Sequence, residues 1–143
     1  MVERYRDNPQ PVARCIEIYL WLLREKYLPG VLAAFRGYDL AEHELAAALS
    51  FHYNTGAIGR ASWVKQVKAS DTVAARKSFM LYDIPESIIE RRQRECDLFF
   101  RGAWSNDGTA LVIPVNRANH KPIFRKAKRV SISAMVTQML GGG

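Results

Sequence analysis

The sequence lacks any long hydrophobic run. It has no stretch of 18 or more apolar residues, whereas a transmembrane helix needs about 20. The residues after Met1 also lack the apolar segment and the small-residue cleavage site that define a signal peptide. We therefore expect neither a membrane span nor export by a signal peptide.

Motifs for cofactor binding and for metal binding are also missing. There is no glycine-rich phosphate loop and no nucleophile elbow. The three histidines, His43, His52 and His120, lie in separate segments, and the two cysteines, Cys15 and Cys96, fit no metal-ligand spacing. We expect no metal site and no cofactor. Each cysteine has apolar neighbours on a predicted helix, which favours buried free thiols.

What the sequence does contain indicates a globular, basic domain. Hydrophobic residues make up 48% of the 143 residues, enough for one domain with a substantial core. The 21 Lys and Arg residues exceed the 14 Asp and Glu residues, giving a net charge of +7. That charge suits a polyanionic partner such as nucleic acid, an anionic membrane surface or bacterial cell wall, or it is a solubility feature alone.

The hydrophobic pattern predicts helices along most of the chain. A first helix is expected to begin near Pro11, with apolar residues at i, i+3 and i+4 from Ile16 to Tyr27, and to end at Pro29 and Gly30. A short helical turn over residues 31–35 follows.

The next helix is predicted to begin at Asp39, because Glu42 follows three residues later as in a capping box. Its small and apolar residues at 45–51 favour close packing at the centre of the core. It is expected to end at Asn54-Thr55-Gly56.

Further helices are predicted over residues 60–69, after a cap at Asp71, and over residues 86–100 behind Pro85. Gly102 is expected to end the last of these.

The predicted fold class is mainly α, with three segments: an N-terminal arm at 1–11, a helical domain at 12–107 and a C-terminal extension at 108–143. Residues 110–115 form a short apolar run that predicts a strand or an extended strap. A basic cluster and a terminal helix over Met135 to Leu140 follow it. The basic cluster consists of Arg125, Lys126, Lys128 and Arg129.

Carboxylates are the remaining candidates for catalysis, because hydrolysis of a glycosidic bond commonly needs two of them. Within the helical domain these residues are predicted to cap helices or to face solvent, so the residue pattern assigns no catalytic residue. They are Glu42, Glu44, Glu86, Glu90, Glu95 and Asp97.

Two segments resemble the bacteriophage-type lysozymes, glycoside hydrolase family 24. Residues 45–64, LAAALSFHYNTGAIGRASWV, are similar to the family's central helix and its aromatic–Asn/Gln–x–Gly turn. Residues 88–104, IIERRQRECDLFFRGAW, are similar to a later helix with a double arginine and a terminal Gly-x-Trp. The helix from Cys15 to Tyr27 resembles the one that joins the two lobes. The likeness extends from Cys15 to Asp107 and implies the large helical lobe of such a lysozyme.

The resemblance implies a substrate-facing edge. Its residues are Tyr53, Asn54, Thr55, Gly56, Arg91 and Arg92. Asn54 would bond a sugar N-acetyl group or hydroxyl, or would only cap its helix. Arg91 and Arg92 would meet the anionic peptide stems of peptidoglycan, or would only form a solvated helix face.

The family's small lobe is not recognisable in the sequence. In the family it supplies a catalytic Glu, a β-hairpin with an Asp and a Thr, and a Gly-Tyr-Gly turn. Glu3 and Asp7 echo its start, but their spacing is too short. No catalytic residue is transferred to this chain, so whether it is an enzyme stays open and we expect little or no hydrolysis by the isolated chain.

The sequence therefore predicts a phage or prophage lysozyme-like protein that binds bacterial peptidoglycan. It would be made in the host cytoplasm or carried in a phage particle and act at the periplasmic wall, with a separate catalytic lobe as a further partner. The alternative is a non-catalytic structural or adaptor component of a phage-like particle. A nucleic-acid binder using Lys65, Lys68 and the basic cluster is disfavoured, because no recognised motif accompanies these residues.

Overall fold

A computed structural model describes residues 10–105, 109–116 and 118–141. Glu3, Asp7 and most of the predicted arm at 1–11 lie outside the described residues, as does Asp107. The chain divides into two compact units. The hairpin unit comprises Met1–Leu20 and Asn106–Gly143, and the helical unit comprises Trp21–Ser105.

The chain is mainly helical, as predicted. The α-helices up to residue 105 are α1 (Val12–Leu22), α2 (Leu28–Ala34), α3 (Glu42–Thr55), α4 (Ser62–Lys68), α5 (Thr72–Phe79) and α6 (Ile89–Arg101). A π-helical turn at Leu23–Tyr27 precedes α2, and a 3₁₀ turn at Glu86–Ile88 precedes α6.

The predicted stop at Pro29 and Gly30 is wrong. The chain stays helical through the π turn and enters α2 with Pro29 in the first turn of that helix. A first-turn residue needs no intrahelical bond from its N–H, so proline is tolerated there.

The predicted start of α3 at Asp39 is also wrong. The N-cap is Ala41, whose backbone N–H donates to Glu44 Oε1 at 2.9 Å. The Tyr38 hydroxyl donates to the other oxygen of Glu44 at 2.9 Å. Burial, together with this bond and the Glu44 charge, raises the pKa of Tyr38.

Three other predicted helix boundaries, at Asp71, Gly56 and Gly102, are confirmed, whereas the helix predicted over residues 86–100 begins as a 3₁₀ turn and becomes α-helical at Ile89. Asp71 caps α5 by accepting a bond from Ala74 N–H at 3.2 Å. Gly56 and Gly102 end α3 and α6 in the left-handed region, each with φ of 66°, where a Cβ would be strained.

An aromatic cluster around Trp63 forms the core of the helical unit. The Trp63 indole is fully buried, and its ring centroid lies 4.7 Å from Phe79, 5.1 Å from Phe99 and 5.2 Å from Phe51. Tilted and edge-on aromatic pairs at such distances are favourable. Since these rings come from four helices, α3 to α6, the cluster ties those helices to one another.

The hairpin unit contains a two-stranded antiparallel sheet, which confirms an extended segment at the predicted strap. Strand β1 (Thr109–Val112) pairs with β2 (Lys128–Ser131) in the register Leu111 opposite Arg129. An isolated bridge between Val115 and Pro122 extends the pairing toward the tip. A 3₁₀ turn at Phe124–Lys126 precedes β2, and the terminal helix α7 spans Ser133–Gly141.

The two cysteines differ in their surroundings. Both thiols are free. Cys96 is buried as predicted, and burial raises the pKa of its thiol. Cys15 is exposed, so the prediction that it is buried is wrong; its thiol lies 3.7 Å from the Gln10 carbonyl oxygen.

Candidate functional site

The turn that ends α3 is held by Thr55 and Gly56. The Thr55 hydroxyl donates to the Phe51 carbonyl at 2.8 Å and accepts from Ala57 N–H at 3.1 Å. Gly56 N–H donates to the His52 carbonyl at 2.7 Å. Both residues therefore shape the backbone of the turn that follows Tyr53 and Asn54.

Aromatic rings support this turn from the side of the π turn. The Tyr27 ring meets Tyr53 edge-on at 5.2 Å and His52 at 5.4 Å. His52 Nδ1 accepts a bond from Ile58 N–H at 3.4 Å. Burial lowers the pKa of His52, which favours the neutral ring that this acceptor role requires.

Arg92 lies beneath the turn and is completely buried. Its Nε donates to the Tyr82 carbonyl at 2.8 Å, and its two terminal nitrogens donate to Glu95 Oε1 and Asn54 Oδ1. The guanidinium carbon also lies 5.1 Å from the centre of the Phe51 ring, within the range of a cation–π contact. Each guanidinium nitrogen thus has a partner, which a buried charge requires.

Glu95 is the counter-charge in this network and is only 4% exposed. Its Oε1 accepts from Arg92, and its Oε2 accepts from the Ser50 hydroxyl and from Arg91 Nε, the latter at 3.2 Å. The prediction that Glu95 is a capping or surface residue is therefore wrong. With both oxygens occupied by donors, Glu95 serves as a structural anion.

Arg91 connects the network to the surface. Its Nη2 donates to the Ser50 carbonyl at 3.1 Å and to the Ser50 hydroxyl at 3.3 Å, and its side chain remains 40% exposed. Two guanidinium groups thus surround one carboxylate, so the network has a formal charge of +1.

The structure brings most of the predicted edge together. We name the α3–α6 face the surface formed by Tyr53, Asn54 and Arg91 above the buried pair of Arg92 and Glu95. Arg92 is completely buried, so the prediction that it meets the stem peptides of peptidoglycan is wrong, and so is the alternative of a solvated helix face. Asn54 is not a helix cap: its side-chain oxygen pairs with Arg92.

Ser50, Tyr82 and Glu95 also belong to the site, although the sequence did not predict them as site residues. One signal for Glu95 was present, since it lies three residues after Arg92 and four after Arg91, spacings at which helical side chains meet. Arg92 also falls on the stripe with Cys96 and Phe99 that faces the core. No local pattern marks Ser50 or the Tyr82 carbonyl.

Comparison with known proteins gave no match: no family model, no curated protein and no solved structure is significantly similar to this chain. Across the parts of the chain that the structure describes, no group of three or more His, Cys, Asp or Glu residues is placed to hold a metal ion. None of the helices within those parts combines the length and the apolarity needed to cross a bilayer.

Proposed function

We propose that this chain is a phage-type lysozyme-like protein that binds bacterial peptidoglycan through the α3–α6 face. The observation that supports the proposal is the direct contact between Asn54 and Arg92. These two residues belong to the two sequence segments that resemble the phage lysozymes, and they lie 38 residues apart in the chain. Their contact joins the two segments, so that the exposed Tyr53 and Asn54 and the partly exposed Arg91 form one rim above the buried Arg92.

The charge of the rim suits the polymer. Arg91 is partly exposed, and the network beneath it has an excess positive charge. The stem peptides of peptidoglycan carry carboxylates, and a guanidinium forms charge-assisted hydrogen bonds with a carboxylate. Arg91 is already held by Ser50 and Glu95, so less conformational entropy is lost when a ligand binds.

The exposed Tyr53 and Asn54 side chains are the uncharged part of the rim and are proposed to contact the glycan strand. An amide offers both a donor and an acceptor, the combination that the N-acetyl groups of a glycan strand satisfy. Asn54 Oδ1 is engaged by Arg92, which orients the amide nitrogen as the donor available to a sugar oxygen. Tyr53 rests on Tyr27 and provides an aromatic edge beside it.

We expect binding without hydrolysis from these residues. Glycoside hydrolysis needs an acid that protonates the leaving oxygen. Glu95 is the carboxylate nearest to the face, and guanidinium and hydroxyl donors occupy both of its oxygens. The α3–α6 face is therefore proposed as a binding surface. The protein that carries it would be made in the host cytoplasm or carried in a phage particle, and would bind peptidoglycan at the periplasmic wall.

Sedimentation with insoluble peptidoglycan tests the proposal. The wild-type chain is compared with Tyr53→Ala and Arg91→Gln, and with Val73→Ala as a control for truncating an exposed apolar side chain on α5. Losing a charge-assisted hydrogen bond weakens binding by roughly ten- to a hundredfold, so Arg91→Gln should shift most of the chain to the supernatant. Val73→Ala should sediment like the wild type. Urea unfolding of each variant separates lost binding from lost folding.

Peptidoglycan without its stem peptides separates the contribution of Arg91 to binding from that of Tyr53. Arg91→Gln should lose the preference for intact over stripped material, whereas Tyr53→Ala should weaken binding to both. If the wild type does not sediment with either polymer, the peptidoglycan proposal is refuted and the structural or adaptor role is favoured.

A clearing assay on chloroform-treated Gram-negative cells tests the expected lack of hydrolysis. Clearing that Glu3→Gln or Asp7→Asn abolishes would contradict it and would place a catalytic site in the N-terminal arm.

A further inference from the structure

The last quarter of the sequence contains no acidic residue. Asp107 is the last acidic side chain in the sequence, and six basic residues follow it. These residues are Arg117, Lys121, Arg125, Lys126, Lys128 and Arg129. The whole chain has a net charge of +7, and the hairpin unit, with nine basic and four acidic residues, accounts for +5 of it.

Of the six basic residues after Asp107, the five that the structure describes lie on one arm of the β-hairpin. Strand β1 contains no charged residue, whereas Lys121 to Arg129, the arm that returns from the tip, contains five cations. Directly paired residues in an antiparallel ladder share a face, so Arg129 lies beside Leu111. Arg129 Nη1 also donates to Thr109 Oγ1 at 3.4 Å, two residues along β1 on that face.

Exposed apolar side chains accompany the cations. Phe124 is 69% exposed and begins the 3₁₀ turn that continues with Arg125 and Lys126, both exposed. Leu111, beside Arg129, is 52% exposed. The hairpin surface therefore places large exposed apolar side chains next to cations, with no acidic side chain among them.

We propose that this hairpin surface docks on an anionic membrane surface. Lysine and arginine would pair with lipid phosphates, while Phe124 and Leu111 would enter the boundary between head groups and acyl chains. Peripheral membrane binding typically needs such a pair of signals, one electrostatic and one apolar.

The apolar residues favour a bilayer over the other polyanions. Nucleic acid would engage the same cations and would stack on Phe124, but the aliphatic Leu111 has no stacking role there. The proposal does not depend on peptidoglycan binding, because it concerns residues of the hairpin unit and none of the α3–α6 face.

Vesicle sedimentation tests the proposal with the full chain. Vesicles of phosphatidylcholine alone are compared with an equal mixture of phosphatidylcholine and phosphatidylglycerol. Each basic residue near an anionic surface strengthens binding roughly fivefold, so the double variant Arg125→Gln/Lys126→Gln should bind the mixed vesicles roughly twentyfold more weakly. The control Lys65→Gln/Lys77→Gln removes the same charge from exposed residues of α4 and α5 and should bind nearly as well as the wild type.

Variants of Phe124 distinguish insertion of an apolar side chain into the bilayer from binding by charge attraction alone. Phe124→Ser should weaken binding to the mixed vesicles with all charges in place, and Phe124→Trp should retain it. All of these side chains are exposed, and circular dichroism checks that each variant stays folded.

Three results would overturn the proposal: equal binding to neutral and mixed vesicles, an equal loss in the control variant, or no binding to either vesicle. If Arg125→Gln/Lys126→Gln instead abolishes binding to a DNA duplex while vesicles are ignored, the hairpin is a nucleic-acid surface.

Discussion

The buried pair of Arg92 and Glu95 gives the sharpest test of how this fold is stabilised. Arg92 donates to Tyr82, Glu95 and Asn54, and Glu95 accepts from Arg92, Arg91 and Ser50. Removing one partner of a buried ion pair typically costs about 3–5 kcal/mol of unfolding free energy.

The two single replacements should not cost the same. After Arg92→Met, Glu95 keeps the Ser50 hydroxyl and the Arg91 charge at 3.2 Å, and a carboxylate can also take up a proton. After Glu95→Leu, Arg92 keeps only neutral carbonyl acceptors, and a guanidinium cannot lose its proton. We therefore expect about 3 kcal/mol for Arg92→Met and about 5 kcal/mol for Glu95→Leu.

The double variant Arg92→Met/Glu95→Leu should recover most of that loss. An apolar pair of similar volume avoids the cost of desolvating two charges and is often neutral, so we expect the double variant to lie within about 2 kcal/mol of the wild type.

Urea unfolding of the four proteins measures the cycle. The exposed pair of Glu90 and Arg94 on the same helix is a matched control, since its replacement should leave the midpoint nearly unchanged. The reasoning is refuted if the costs of the two single variants add in the double variant, or if Arg92→Met costs more than Glu95→Leu.

Three further changes have defined outcomes. Gly56→Ala should lower the unfolding free energy by about 1 kcal/mol or more, because φ is 66° at that residue. The control Gly59→Ala places its Cβ in open space at an ordinary φ and should leave the unfolding free energy unchanged. Equal urea midpoints for the two variants would contradict this. Gly30→Ala should destabilise despite the better helix propensity of alanine, because the new Cβ would lie 2.9 Å from His52 Nε2, and His52→Ala should relieve the effect. Burial lowers the pKa of His52 below 6.5, so the unfolded chain takes up the proton at a higher pH than the folded chain does. The unfolding free energy should therefore fall as the pH drops below 6.5. His52→Gln should reduce this fall, measured as urea midpoints against pH, and an unchanged pH dependence would count against burial as the cause.

The sequence predicted those parts of the fold that depend on local signals. The Asp71 cap and the glycines that end α3 and α6 follow from neighbouring residues, and the structure agrees. The stop at Pro29 failed because the same proline also suits a first helical turn. Within the candidate site, the burial of Arg92 depends on Tyr82, which lies 10 residues away, and on Asn54, which lies 38 residues away. The pairing with Asn54 forms only when α3 packs on α6, and no single segment encodes it.

The placement of the three tryptophans makes the helical unit optically distinct. Trp21, Trp63 and Trp104 all belong to it, with Trp63 buried and the other two exposed, so a polar quencher should reach two indoles and spare one. Tryptophan emission therefore reports chiefly on the helical unit, whereas far-ultraviolet circular dichroism records the backbone of both units. Coincident unfolding curves from the two signals would indicate one cooperative transition, and separated curves would show that the two units melt independently.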